Sequence, residues 1–469
     1  MNKDTIASIS TALSESGIGI IRISGQDAIS IADRIYTNKN GIHNLKSQKS
    51  HTIHYGYIVN DNGEIMDEVM ISVMKAPNSY TREDVVEINC HGGVRMCRNI
   101  LDTVLNTGAR LADPGEFTKR AFLNGRLDLT RAEAVMDTIR ASSDTALDQS
   151  VRQLRGELYR LLDNICSDIL YEIAHIEAVL DDPDSYDIND YSDELSAKID
   201  RISSDIRKLI KSYDEGRLLT EGIRTSILGN PNAGKSSLMN LLYGDNRAIV
   251  TNVPGTTRDT LTETVRLDDV TIILTDTAGI RETDDEIERI GVKRAIDSAR
   301  DSDLIIYVAD ASTDLNLEDP TLCELLRSSG LILLLNKCDL TDNSDSADHA
   351  NQIKEEFAKH DIDPDVILST SMITMEGLSE LKSAIREMFY NGDLKSDHQM
   401  IITNLRHVEC LKEAIISLDK VRSSIEAGVS EDLYCIDLTD AYRALARITG
   451  AEVNEDIVNE IFSKFCMGK

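Results

Sequence analysis

The spacing of apolar positions changes along the chain, and the changes divide it. Over residues 1 to about 120 the period is short. Residues 18–23, 51–59 and 69–74 read as strands, with Asp61-Asn62-Gly63 as a turn. Residues 94–105 read as a helix, so a small α+β domain is expected here. At Asp128 the period becomes three and four. Thr130-Arg131-Ala132-Glu133 matches a capping box. Leu147, Val151, Leu154, Leu158, Leu161, Ile165, Ile169, Ile173, Ile176 and Leu180 then form one stripe, predicting a single long helix. It stops at Asp181-Asp182-Pro183. Residues 181–194 hold seven acidic side chains and no basic one, and read as a solvated loop rather than a metal site. A second stripe runs from Leu195 to Tyr213 and ends near Gly216. Helical spacing returns from Leu405 to Ile425, with further helices expected at 431–448 and 455–465.

A helical stripe must bury its face. The helices after 395 are therefore expected to pack against those of 128–215, which makes the stretch between them an insertion. The expected domains are 1–120, 121–216, 217–390 and 391–469, the second and fourth being halves of one helical domain.

The insertion carries the most legible chemistry. Gly229-Asn230-Pro231-Asn232-Ala233-Gly234-Lys235-Ser236 reads G-x-x-x-x-G-K-S, between a strand-like run at 223–228 and a helix-like run at 237–242. Its glycines let backbone N–H groups turn onto phosphate oxygens, and the helix start adds its positive end. Lys235 is expected to reach the β- and γ-phosphates and Ser236 to ligate Mg²⁺. Three companions follow in order. Gly255-Thr256-Thr257-Arg258-Asp259 places Thr257 for Mg²⁺. Asp276-Thr277-Ala278-Gly279 follows the apolar run 270–274. Asn336-Lys337-Cys338-Asp339 follows the buried run 331–335. A carboxylate at Asp339 can accept both N1–H and the exocyclic amine of guanine, which adenine does not offer. An α/β P-loop GTPase domain of the Ras-like kind is expected. The nucleotide set is Asn232, Ala233, Gly234, Lys235, Ser236, Ser237, Thr251, Asn252, Val253, Pro254, Gly255, Thr256, Thr257, Asp276, Thr277, Ala278, Gly279, Asn336, Lys337, Asp339, Ser369 and Thr370.

Charge narrows the partners. The 469-residue chain has a net charge of −31, which disfavours wholesale coating of nucleic acid or an anionic membrane. An RNA ligand would need a local basic patch. Lys119, Arg120, Arg126, Arg131, Arg140, Arg152 and Arg155 form the one long basic-leaning stretch, with a solvated helix face as the alternative. No apolar run approaches membrane-spanning length, and residues 1–5 lack a signal layout, so a cytoplasmic location is expected. The eight cysteines include no C-x-x-C pair, which argues against a zinc site or a disulfide framework.

The chain resembles the MnmE (TrmE) family of tRNA-modifying GTPases over essentially its whole length. The matching pieces are Asp4-Thr5-Ile6-Ala7, Gly19-Ile20-Ile21-Arg22-Ile23-Ser24-Gly25, Asn78-Ser79-Tyr80-Thr81, His91-Gly92-Gly93, the run from Pro114 to Leu129, and Phe465-Cys466-Met467-Gly468-Lys469. The resemblance implies an N-terminal domain that looks like a tetrahydrofolate-binding fold and dimerises the protein. It implies a homodimer working with an FAD-dependent MnmG (GidA) subunit. Together they would add an aminomethyl or carboxymethylaminomethyl group at C5 of the tRNA wobble uridine, a 5-formyl or 5,10-methylene folate supplying the one-carbon unit. It also implies GTP hydrolysis stimulated by K⁺. Two segments depart from the family: Thr11 to Gly17, where a Pro- and Gly-rich turn is usual, and Ser369-Thr370-Ser371 in the guanine-supporting loop.

In small signalling GTPases a Gln after D-x-x-G orients the attacking water. Here that position is Ile280, which leaves a catalytic gap. Asn232 and the carbonyls of 251–256 can form an oxygen cage for a monovalent cation that neutralises developing charge, or Asn232 only rigidifies the loop. The resemblance makes Asn232, Thr251, Val253 and Thr256 the K⁺ ligands and Glu288 the water-polarising carboxylate, in a segment that otherwise reads as a solvated helix face. It also makes Arg22, Glu87, Arg126 and Lys469 the folate candidates. Cys466 can attack C6 of uracil as a thiolate, or simply pack beside Phe462 and Phe465. Two other readings compete: a ribosome-assembly or signalling switch, and a free folate enzyme with a regulatory GTPase. The Cys466 segment and the 114–129 run favour RNA modification.

Overall fold

The structure is a computed structural model. It describes residues 4–141, 143–181, 191–245, 262–267, 270–275, 299–313, 315, 317, 319–340, 345–389, 400–465 and 468. The chain divides into two compact units: 1–139 with 150–206 and 409–469, and 140–149 with 207–408.

The first unit opens with a seven-stranded sheet. Its strands are β1 (Ile6–Ile9), β2 (Ser16–Ser24), β3 (Tyr36–Thr37), β4 (Thr52–Val59), β5 (Ile65–Met74), β6 (Val85–Gly92) and β7 (Arg110–Leu111), in the order β3-β4-β5-β6-β2-β1-β7. All neighbours are antiparallel except β1 and β7. Alternation puts Ile21, Ile23, Val69, Ile71, Val73, Val86 and Ile88 on one face, in a core shared with the helices Ala28–Ile35 and Val94–Asn106. The other face carries two cross-strand rows. One is Ile53, Ser72, Glu87 and Arg22; the other is Tyr55, Met70, Asn89 and Ile20. Ile53 is 67% exposed and Met70 51%. This face is therefore apolar at β4 and β5 and charged at β6 and β2.

The same unit continues in helices. Leu129–Arg140 packs through Leu129, Ala132 and Met136 onto Val458, Phe462 and Phe465 of the Glu455–Ser463 region. Glu431–Thr449 lies along Glu157–Asp181, so helices from before and after the insertion do share a face.

Two local expectations fail. The single helix over 147–180 is two, Asp144–Leu154 and Glu157–Asp181. Gly156 between them has φ +82°, and a Cβ there would lie 2.0 Å from Arg131 Nη2. Only glycine accommodates both the left-handed backbone and the guanidinium against it. The capping residue is also not Thr130, which is buried inside Leu129–Arg140. The Asp128 carboxylate does that work, accepting from Arg131 N at 3.0 Å and from the Thr130 hydroxyl.

The second unit is built on a six-stranded sheet: β8 (Ile223–Gly229), β9 (Thr262–Leu267), β10 (Val270–Thr275), β11 (Leu304–Asp310), β12 (Gly330–Asn336) and β13 (Val366–Ser369). Its order is β13-β12-β11-β8-β10-β9, parallel throughout except for β9, which runs antiparallel to β10. Leu304, Ile306 and Val308 enter one core, and Ile305, Tyr307 and Ala309 the other. Burial on both faces is why β11 and β12 read as unbroken apolar runs.

Candidate functional site

The phosphate loop leaves the C-terminal end of the central strand β8 and enters the helix Lys235–Asp245. Gly229 has φ +142°, and a Cβ on it would lie 2.1 Å from the Val308 carbonyl oxygen. Gly234 has φ +109°, and its Cβ would meet Asn336 Nδ2 at 2.1 Å. Both glycines are thus required by backbone conformation and by close approach. Asn232 takes a left-handed conformation too, at φ +59°, which asparagine tolerates. Lys235 Nζ donates to the carbonyls of Gly229 at 2.8 Å and Asn230 at 2.7 Å, which holds its ammonium over the start of the loop. Ser236 and Ser237 are exposed in the first turn of the helix.

Asn336, at the end of β12, ties this loop to the next one. Its Nδ2 donates to Ala233 O at 2.7 Å, and its Oδ1 accepts from Met372 N at 3.2 Å. Lys337 (φ +67°) donates from Nζ to Asp310 Oδ2 at 2.6 Å. Burial pushes the Asp310 carboxyl up, but bonds from Lys337 and Ser312 outweigh it and leave the group below the usual carboxylate range. Asp339 is exposed on a one-turn helix, Cys338–Leu340. Cys338 N donates to Thr370 O at 3.2 Å, and Thr370 N to Leu335 O at 2.8 Å, so Asp339 and the Ser369-Thr370 segment belong to one bonded assembly. Thr370 Oγ1 is buried and has no hydrogen-bond partner among the described residues. The glycine cradle and the Asn336 bridge fit a nucleotide at the C-terminal ends of parallel strands. Thr251, Asn252, Val253, Pro254, Gly255, Thr256, Thr257, Asp276, Thr277, Ala278, Gly279, Ile280 and Glu288 lie outside the described residues.

A second cluster forms in the other unit. Arg22 on β2 pairs with Glu87 on β6, Nε to Oε1 at 2.8 Å, and its Nη1 donates to Gly468 O at 3.2 Å. The Arg22 guanidinium sits 5.4 Å from the Tyr80 ring centre and 5.7 Å from that of Phe117. Arg126 lies 4.8 Å from the same Tyr80 ring and donates from Nη1 to Tyr80 O at 3.2 Å. Arg22 and Arg126 therefore meet around one tyrosine, and Glu87 joins them through its ion pair with Arg22. Two guanidiniums against one carboxylate make a local anion site on an acidic chain, which fits a carboxylate-bearing ligand. Lys469 and Cys466 lie outside the described residues.

Three members of the basic stretch are neutralised by carboxylates. Arg120 is buried and bonded to Asp4, Glu83 and Glu116; Arg131 pairs with Asp128 and Arg152 with Glu157. Sequence reasoning also missed Tyr80 as the centre of the arginine cluster and Asp310 as the partner of Lys337. Among the described residues no group of three His, Cys, Asp or Glu is arranged to hold a metal, and no helix is long and apolar enough to cross a membrane.

A glycine-cradled loop after the central strand, an Asn-Lys-x-Asp corner and a sheet with one antiparallel edge strand define a multidomain protein with a Ras-like P-loop GTPase domain. Residues 5–126 match a profile described as "GTP-binding protein TrmE N-terminus", and residues 129–466 one described as "MnmE helical domain". The chain is 47% identical over 469 residues, all of both chains, to a protein of Lachnoclostridium phytofermentans named "tRNA modification GTPase MnmE". It is 43% identical to proteins of the same name from Listeria welshimeri, over all of both chains, and Bacillus subtilis, over 99% of this chain and all of that one. The chain belongs to the MnmE (TrmE) family of tRNA modification GTPases.

Proposed function

We propose that this chain hydrolyses GTP in the service of tRNA modification, adding an aminomethyl or carboxymethylaminomethyl group at C5 of the wobble uridine. It does so in the cytoplasm with an FAD-containing MnmG partner and a folate one-carbon donor. The observation that carries this reading is the pairing of two sites in one chain. One is the glycine-cradled loop at 229–236. The other is the Arg22–Glu87–Arg126 cluster, to which the Gly468 carbonyl, just past Cys466, is bonded. A switch GTPase with passive flanking domains has no use for the second.

Lys235, Ser236 and Thr257 take the phosphates and Mg²⁺, and Asp339 takes the guanine edge. Asn232, Thr251, Val253 and Thr256 would hold K⁺, which would supply positive charge where Ile280 offers none, and Glu288 would polarise the water. Glu87 takes the pterin N–H edge, and Arg22, Arg126 and Lys469 the anionic groups. The apolar side of the β4–β5 face, with Ile53, Tyr55 and Met70 exposed, supports a homodimer through the N-terminal domain. Residues 1–120, 121–216 with 391–469, and 217–390 are the folate-binding, helical and GTPase domains.

Nucleoside mass spectrometry of tRNA from a strain lacking this chain tests the reading; wobble uridines modified as in the parent would refute it. The same strain carrying Cys466→Ser separates the roles of that residue. Loss of modification with normal GTP turnover makes it chemical; retained modification makes it a packing residue.

A further inference from the structure

Asp310 closes β11 beside Asn336, its register partner at the end of β12. The residue after Asn336 therefore stands just past the sheet. It is Lys337, in the left-handed backbone at φ +67°, which a lysine adopts only at a cost. Its side chain is held from the far end. Nζ donates to Asp310 Oδ2 at 2.6 Å, and Asp310 is its one partner among the described residues. The carboxylate is itself fixed, since Oδ1 accepts from Ser312 N at 3.0 Å and from the Ser312 hydroxyl at 2.6 Å. Ala311 N donates to Asn336 O at 2.8 Å and ties this turn to β12. One carboxylate oxygen thus serves its own turn and the other serves the ammonium. The Asp310 side chain is 13% exposed, so water screens the pair less than it would a surface pair.

Two residues beyond Lys337 stands Asp339, exposed on Cys338–Leu340. Its carboxylate must be bare to accept two N–H groups from guanine. A lysine ammonium on a flexible four-carbon stem is a ready counter-ion for a carboxylate so near. An ion pair there would fill the acceptor oxygens and present a cation in their place. Asp310 competes for that ammonium.

We propose, building on the reading of Asp339 above, that Asp310 is a specificity-determining positioning residue: by holding Lys337 it keeps Asp339 open and makes the site select guanine over xanthine. Guanine carries an amine at C2 and xanthine an oxygen. A bare carboxylate attracts the first and repels the second, and a carboxylate masked by an ammonium does the reverse.

The test is equilibrium binding of GDP and of xanthosine diphosphate to the full chain with Mg²⁺. Asp310→Asn keeps the size of the side chain and an acceptor for Ser312 but releases the ammonium. It should weaken GDP about tenfold and strengthen xanthosine diphosphate at least about threefold. Adding Lys337→Met should abolish the gain for xanthosine diphosphate, because no ammonium is left to mask Asp339. A merely structural role would weaken both nucleotides together, and that result overturns the proposal. So do unchanged affinities in Asp310→Asn, or a xanthosine gain that survives Lys337→Met. Asp339→Asn is run alongside. If it fails to move preference toward xanthine, the reading of Asp339 falls and this proposal with it; if it succeeds while Asp310→Asn does not, this proposal alone falls. Should Asp310→Asn fail to fold by circular dichroism, Asp310→Ser carries the same comparison.

Discussion

Asn336→Ala isolates what the bridge between the two nucleotide loops contributes. Asn336 is 2% exposed, and its amide satisfies two backbone groups, Ala233 O at 2.7 Å and Met372 N at 3.2 Å. Ala233 is fully buried, so its carbonyl would be orphaned at about 1–3 kcal/mol. Met372 is half-buried, and water can partly replace its bond, so that loss is about 1 kcal/mol. The sum, about 2–4 kcal/mol, falls on the relative position of the phosphate loop and the 369–372 loop. GDP and GTP require both loops together, so their affinity should fall by roughly 30- to several hundred-fold, taking 1.4 kcal/mol per decade. The assay is equilibrium binding of a fluorescent GDP analogue, with circular dichroism to confirm a folded chain. A double-mutant cycle with Gly234→Ala sharpens it. That Cβ clashes with Asn336 Nδ2, so the two changes should be markedly sub-additive, leaving only the strain at φ +109°. A folded Asn336→Ala chain that binds GDP within threefold of the parent would show that the amide does not couple the loops.

Three further outcomes are expected. Asp339→Asn should move preference from guanine to xanthine nucleotides, since the amide no longer presents two acceptors; unchanged GTP affinity in competition binding would remove Asp339 from the base site. Turnover should rise several-fold when Na⁺ is replaced by K⁺ at constant ionic strength, and Asn232→Ala should abolish the response, as neutralising developing charge predicts; equal rates in both salts would mean another group fills the gap at Ile280. Glu116 gives a pH dependence. Burial raises its carboxyl pKa, but bonds from Arg110, Asp113 N and Arg120 outweigh that and hold it below the usual range. A depressed pKa contributes stability above the unfolded value and loses it as pH falls through the folded one. Melting temperature should therefore drop on acidification below about pH 4.5, with a shallower slope in Glu116→Gln; matching slopes would rule the group out.

What the sequence disclosed and what it concealed follow from how far apart the interacting residues lie. The loop at 229–236 is legible because its chemistry is local: Gly229 and Gly234 answer to their own backbone angles, and the strand and helix beside them are a few residues away. β12 is legible because burial on both faces leaves no polar interruption. The break at Gly156 is not, because apolar residues continue on either side of it and its cause is Arg131, far earlier in the chain. The basic stretch misleads for the same reason. Arg120 looks available until Asp4 and Glu83, distant in sequence, are seen to neutralise it. Tyr80 had no visible role because its ring acquires meaning only when residues 22, 118 and 126 meet around it.

Distance along the chain also explains why the helical domain must return after the insertion. Residues after 400 build the helices Leu405–Glu426, Glu431–Thr449 and Glu455–Ser463, and their last segment ends against the N-terminal domain. Gly115 has φ +69°, and a Cβ there would lie 2.5 Å from the Phe462 carbonyl oxygen. Gly468 has φ +89°, and its Cβ would lie 2.3 Å from Ile9 O. Two glycines far apart in sequence therefore permit backbone-to-backbone contact on either side of Cys466. The Gly468 carbonyl then accepts from Ser10 Oγ at 3.0 Å and from Arg22 Nη1 at 3.2 Å. Phe462 and Phe465 fill an apolar cluster with Leu129 and Met136. A tail serving only as a plug needs those aromatics and nothing beyond them. Anchoring Gly468 onto the arginine that also pairs with Glu87 is an additional constraint, and it acts on the segment that carries the thiol. That constraint supports the proposed chemistry at Cys466, which Cys466→Ser tests with folding and GTP turnover left as internal controls.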